Sequence, residues 1–93
     1  MKFYLLQENF TGLLQLKVSP NPGRGGFTYH FISPGNTDVL LTLTDISGQL
    51  ILEKMIAPAD GENTGILKIA TPGIYILKLT NRQGNACIKI VAE

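Results

Sequence analysis

Apolar and polar residues alternate along most of this chain, and no apolar stripe of helical period runs longer than two turns. Leu14, Leu16 and Val18 share one face of an extended segment, while Gln15, Lys17 and Ser19 share the other. Phe27, Tyr29 and Phe31 alternate with Thr28, His30 and Ile32, which predicts a second strand with its aromatic rings on one side. A third strand, Val39 to Ile46, is apolar on both faces near its start, as a central strand would be. Ser47-Gly48 turns it into a fourth, Gln49 to Ile56, and the two make a hairpin. A fifth covers Ile66 to Ala70. The sixth, Ile74 to Thr80, puts Tyr75, Leu77 and Leu79 on one face, and the seventh runs from Ala86 to Ala92.

Between these runs lie turn residues. Pro20-Asn21-Pro22-Gly23-Arg24-Gly25-Gly26 stops any ladder, and Pro34-Gly35-Asn36 does the same between the second and third strands. Pro58 to Gly65 reads as a polar loop, Thr71-Pro72-Gly73 as a corner, and Asn81 to Asn85 as a hairpin turn. Seven short strands at this spacing predict an all-β, seven-stranded immunoglobulin/fibronectin-like antiparallel β-sandwich. Tyr75 stands where such sandwiches place a tyrosine that hydrogen-bonds back to the preceding corner. Residues 1–13 read as linker, tag or an extra edge strand, with Phe3, Leu5 and Phe10 as their apolar positions; 14–93 form the domain.

Composition agrees with a single packed unit: 93 residues, 44% apolar and 16% charged. The formal charge is +1 and the eight basic residues are spread among seven acids, so no basic face recommends nucleic acid as a partner. A single cysteine, Cys87, excludes an internal disulfide and reads as a small buried strand residue. The apolar start from Met1 to Leu6 is too short for the core of an export signal. A domain of extracellular character without such a signal reads as a piece from the end of a longer, exported chain.

Little chemistry is on offer. His30, the lone histidine, sits among aromatic neighbours and lacks a partner acid in the pattern. Asp60-Gly61-Glu62-Asn63 offers hard oxygens for calcium, but a solvated turn is the simpler account. The glycines from Gly23 to Gly26 do not make a phosphate loop: a strand follows where a helix should, and no Gly-Lys-Ser/Thr ending is present. They suit a tight turn with positive φ or close backbone approach. The sequence therefore predicts no enzyme, no catalytic residue, no metal and no cofactor.

Five features occur in order: Val18-Ser19-Pro20-Asn21-Pro22, Gly25-Gly26-Phe27, Asp45-Ile46-Ser47-Gly48-Gln49, Pro72-Gly73-Ile74-Tyr75, and Ile88-Lys89-Ile90-Val91. The series resembles the C-terminal sorting domain of the type IX (Por) secretion system of Bacteroidetes, over about Leu16 to Glu93. Ser19 replaces a tyrosine frequent in that family, and Lys89 stands alone where one or two lysines are usual. The resemblance implies a sorting signal that is bound rather than catalytic. Its motif positions here are Pro20, Asn21, Pro22, Gly26, Asp45, Gly48, Gly73, Tyr75 and Lys89.

The implied partners are the outer-membrane translocon, its surface cysteine protease, and a cargo domain earlier in the same chain. The implied route runs through the periplasm to the cell surface or the medium, with the domain cleaved off and the cargo anchored or released. Were the last strand at a sheet edge, its backbone would be open to a receptor strand, with Lys89 either a recognition residue or a gatekeeper. A non-catalytic fibronectin-like or carbohydrate-binding module of a secreted glycanase is the alternative, and an edge-strand homodimer a third reading.

Overall fold

The computed structural model describes residues 8–10, 15–33, 38–57, 61–82 and 84–93. Eight strands follow in order: β1 (Glu8–Phe10), β2 (Gln15–Ser19), β3 (Gly26–Ser33), β4 (Val39–Asp45), β5 (Leu50–Ile56), β6 (Gly61–Lys68), β7 (Gly73–Asn81) and β8 (Gly84–Ala92). They form a five-stranded sheet, β1-β8-β7-β4-β5, and a three-stranded sheet, β2-β3-β6. Every named strand pair is antiparallel. The seven strands from β2 onward make the sandwich, an immunoglobulin-like arrangement, and the three-residue β1 lies beside β8.

Alternation builds the core directly, because the period of a strand sends every second side chain inward. Leu16 and Val18 of β2 and Phe27, Tyr29 and Phe31 of β3 meet Leu41 and Leu43 of β4, Leu77 and Leu79 of β7, and Ile88 and Ile90 of β8. Most of these are under 3% exposed. At about 25 cal/mol per Å² of apolar area removed from water, this cluster is the main favourable contribution to a fold of so few residues. One gap is filled by an aromatic ring over a glycine. Tyr29 lies across Gly65 of the neighbouring β6, occupying the space a Cβ would need.

Two strand limits differ from the pattern reading. β6 begins at Gly61, well before Ile66, because Gly61 to Gly65 pair with Tyr29 to Ser33 of β3. That stretch is polar because it forms the edge of the smaller sheet, so its apolar signal is weak. The consequence for the candidate calcium loop is direct. Glu62 and Asn63 are consecutive strand residues on opposite faces, and Asp60 lies outside the described residues. Among the described residues no three His, Cys, Asp or Glu side chains come together.

The second difference concerns the last strand. β8 is not a sheet edge: β7 pairs along its whole length, from Gly73↔Ala92 to Asn81↔Gly84, and β1 covers Ala86 to Ile88 on its other side. Among the described strands, β1 and β5 end the larger sheet.

Candidate functional site

Beyond Ile88 the flank of β8 is not bare. The Pro-Asn-Pro-Gly turn that leaves β2 folds against it and takes the place of a strand. Asn21 Nδ2 donates to the Lys89 carbonyl at 2.8 Å, and Val91 N donates to Asn21 Oδ1 at 3.0 Å. Gly23 N then donates to the Val91 carbonyl at 3.0 Å, and Glu93 N donates to the Gly23 carbonyl at 2.7 Å. A carboxamide carries one acceptor and a donor in one plane, as a peptide group does, so Asn21 completes the ladder with its side chain. Gly23 continues it with its backbone, in a parallel bridge to Ala92.

The residue types follow from this contact. Pro20 and Pro22 carry no N–H, so neither leaves a donor to be satisfied in a turn with no regular ladder of its own. Gly23 is buried, and a Cβ there would sit 2.8 Å from the Phe27 ring and 2.9 Å from the Pro20 carbonyl oxygen. Gly25 has a φ of +93°, and its carbonyl accepts from Ile69 N at 2.8 Å, closing the small sheet beyond β6. Gly26, by contrast, has open space where a Cβ would go. Of these three glycines it is Gly23 and Gly25 that the geometry requires. Gly23 was missed among the motif positions because its constraint comes from Phe27 and β8, not from its neighbours in sequence.

At the same end of the sandwich, β4 turns into β5 around one carboxylate. Asp45 Oδ1 accepts from Ser47 N at 2.9 Å, Ser47 Oγ at 2.6 Å and Gln49 N at 2.9 Å. The backbone closes the turn with Gly48 N donating to the Asp45 carbonyl, and Gly48 has a φ of +94°. These donors, the Ser47 hydroxyl foremost, hold the Asp45 carboxyl below its usual range. Beside it, Tyr75 is the register partner of Asp45 and of Ile90. Its hydroxyl donates to the Thr71 carbonyl at 2.6 Å, the corner bond anticipated from the sequence.

The motif positions therefore converge. Pro20, Asn21 and Pro22 leave β2, Gly26 opens β3, Asp45 and Gly48 lie at the β4–β5 turn, and Gly73 and Tyr75 open β7. Lys89 is near the end of β8, bound through its carbonyl to Asn21. Stretches up to 70 positions apart in sequence are joined at one pole by hydrogen bonds of the Asn21 side chain and of the Gly23 backbone. Lys89 is half-buried on the outer face of the larger sheet, opposite Ile76.

Elsewhere the surface offers less. His30 Nδ1 lies 3.3 Å from Thr64 Oγ1 and 4.0 Å from Glu62, in a shallow depression also lined by Gln15 and Lys17. Cys87 is half-buried on β8, in register with Lys78 and Asn9. Phe27, Tyr29, Phe31 and Tyr75 all point into the core, so none of these rings is free to stack on a sugar.

The fold and this pole define a class: an immunoglobulin-like sandwich whose distinctive residues shape the backbone at one end. The chain belongs to the secretion system C-terminal sorting domain family, whose model matches residues 17–93. It is thus a C-terminal sorting signal for type IX secretion, part of a secreted protein that carries cargo through that system and engages its machinery. No curated protein and no solved structure gives a significant match.

Proposed function

We propose that the pole built from the Pro-Asn-Pro-Gly turn, the Asp45 turn, the Tyr75 corner and the end of β8 is the surface the outer-membrane translocon reads. The observation that supports this reading is the Asn21–Gly23 ladder on β8. It joins motif positions from both ends of the domain into one rigid feature that exists only when the domain is folded. A folded signal of this kind reports that export across the inner membrane and folding are both complete. The domain is bound and not catalytic. Recognition takes place in the periplasm. A surface cysteine protease then cuts upstream of the sandwich, near residues 1–13, leaving the cargo at the cell surface or in the medium.

The test is transfer of the signal. Residues 1–93, fused behind an exported fluorescent protein in a Bacteroidetes host, should carry fluorescence to the cell surface or medium. Removing β8 would be uninformative, since Ile88 and Ile90 are core residues and the sandwich would unfold. Point variants serve better: Asn21→Ala and Lys89→Ala should lower the exported fraction while the purified domain stays folded. Periplasmic retention of the unaltered fusion would sink the proposal. Full export of both variants would remove the pole from it.

A further inference from the structure

The flank of β8 away from β7 is closed in two pieces. β1 pairs with Ala86 to Ile88, setting Asn9 opposite Cys87, and the Asn21–Gly23 turn takes Lys89 to Glu93. The phase of the backbone shows what β1 holds there. In an antiparallel strand successive residues turn their N–H and C=O groups to opposite sides. Lys89, Val91 and Glu93 bond the turn, so the odd-numbered residues of β8 face this flank. Cys87 is in the same phase, and its N–H and C=O therefore face Asn9. Ala86 and Ile88 turn theirs the other way, to Leu79 and Leu77 of β7. Asn9 thus meets β8 with its backbone where Asn21 meets it with its side chain.

The two pieces belong to different parts of the chain. Asn21 and Gly23 lie within the family's span of 17–93, and Gly23 packs against the core ring of Phe27. β1 precedes that span and reaches β2 through residues 11–14. It is the end of the linker laid onto the sandwich. A protease takes its substrate as an extended segment and pairs with its backbone, so a stretch already paired to a sheet must lift before it can be cut. The four residues 11–14 are too few to fill such a cleft while β1 and β2 on either side stay paired. Pairing of Asn9 with Cys87 therefore closes the whole stretch from Glu8 to the start of β2.

We infer that β1 is a latch that sets the downstream limit of processing: the cut falls before Glu8, and the released sandwich keeps β1. The inference rests on the cleavage step proposed above and locates it. None of the motif positions takes part in the latch, so lifting β1 leaves the Asn21 ladder in place. Recognition at the pole and protection of the linker are separate properties of one strand, β8, carried by its two halves.

The purified chain tests the latch without the secretion system. Chymotrypsin should cut after Phe10 on the order of tenfold more slowly in the chain than in a free peptide of residues 6–14, because cutting follows the open fraction of the latch. Asn9→Pro removes the N–H that faces the Cys87 carbonyl. It should bring the chain within about twofold of a peptide carrying the same substitution, and quicken exchange of the Cys87 amide severalfold while Val91 exchange stays unchanged. Asn9→Cys, opposite the native Cys87, should close a disulfide under oxidant, and cutting after Phe10 should fall severalfold further until reductant is added. Equal cutting of wild-type chain and peptide, unchanged Cys87 exchange in Asn9→Pro, or failure of that disulfide to form overturns the latch. In the fluorescent fusion, mass spectrometry of the released sandwich should find its first residue at or before Glu8. A first residue beyond Glu8 overturns the limit while the sorting reading stands. A fusion exported whole removes the cut and its limit together. If the fusion is not exported, the sorting reading fails first, and the purified chain still decides whether β1 closes these bonds.

Discussion

Asn21 offers the sharpest quantitative test of the pole. Replacing it with alanine removes two hydrogen bonds to β8, at 2.8 and 3.0 Å, without touching the core. A hydrogen bond of this kind contributes about 0.5–1.5 kcal/mol net, and since both are solvent-accessible the pair should be worth about 1–2 kcal/mol. For a domain of this size that lowers Tm by about 4–16 °C. The loss should be local as well as global. Val91 N loses its acceptor, so its hydrogen exchange should quicken roughly 5–30-fold, while amides of β4 change only through global stability. Asn21→Asp is the internal control: it keeps an acceptor for Val91 but sets a second oxygen against the Lys89 carbonyl. It should recover little relative to alanine. Calorimetry and amide exchange by NMR are the assays. An Asn21→Ala domain that melts within about 1 °C of wild type, with unchanged Val91 exchange, would refute the claim that this side chain completes the β8 ladder.

Three further outcomes are expected. Tyr75→Phe removes the hydroxyl bond to Thr71 and keeps the buried ring, so urea unfolding should report a loss of about 0.5–1.5 kcal/mol with an unchanged m-value. Gly65→Ala puts a methyl group where the Tyr29 ring lies, and overpacking should cost about 1–3 kcal/mol with altered ring resonances for Tyr29. For Asp45, the folded carboxyl titrates lower than the unfolded one, so its ionised form stabilises the fold above the ordinary carboxylate range. That contribution is lost as pH falls from about 4 through the lowered folded value. The stability difference between wild type and Asp45→Asn, followed by urea titration from pH 7 down to acid, should therefore be constant at neutral pH and shrink in that window.

Much of the fold was legible because it is local. A period of two marks the inward residues of β3 and β7 whatever surrounds them. Glycine and proline mark the turns for reasons internal to the backbone. The Tyr75 corner spans four positions, and the Asp45 turn is closed by residues just after it. Motif order along the chain was also enough to point to the family. What escaped is non-local. Gly61 to Gly65 form a strand only because β3 lies beside them. Gly23 is constrained by Phe27, and Asn21 by a strand some 70 positions away. The sequence by itself determined that there are strands, where they turn and what family they belong to. Only the tertiary structure decided which strands end a sheet, because an edge is a property of neighbours: β8 is flanked by β7, β1 and the side chain of Asn21, and among the described strands it is β5 and β1 that end the larger sheet.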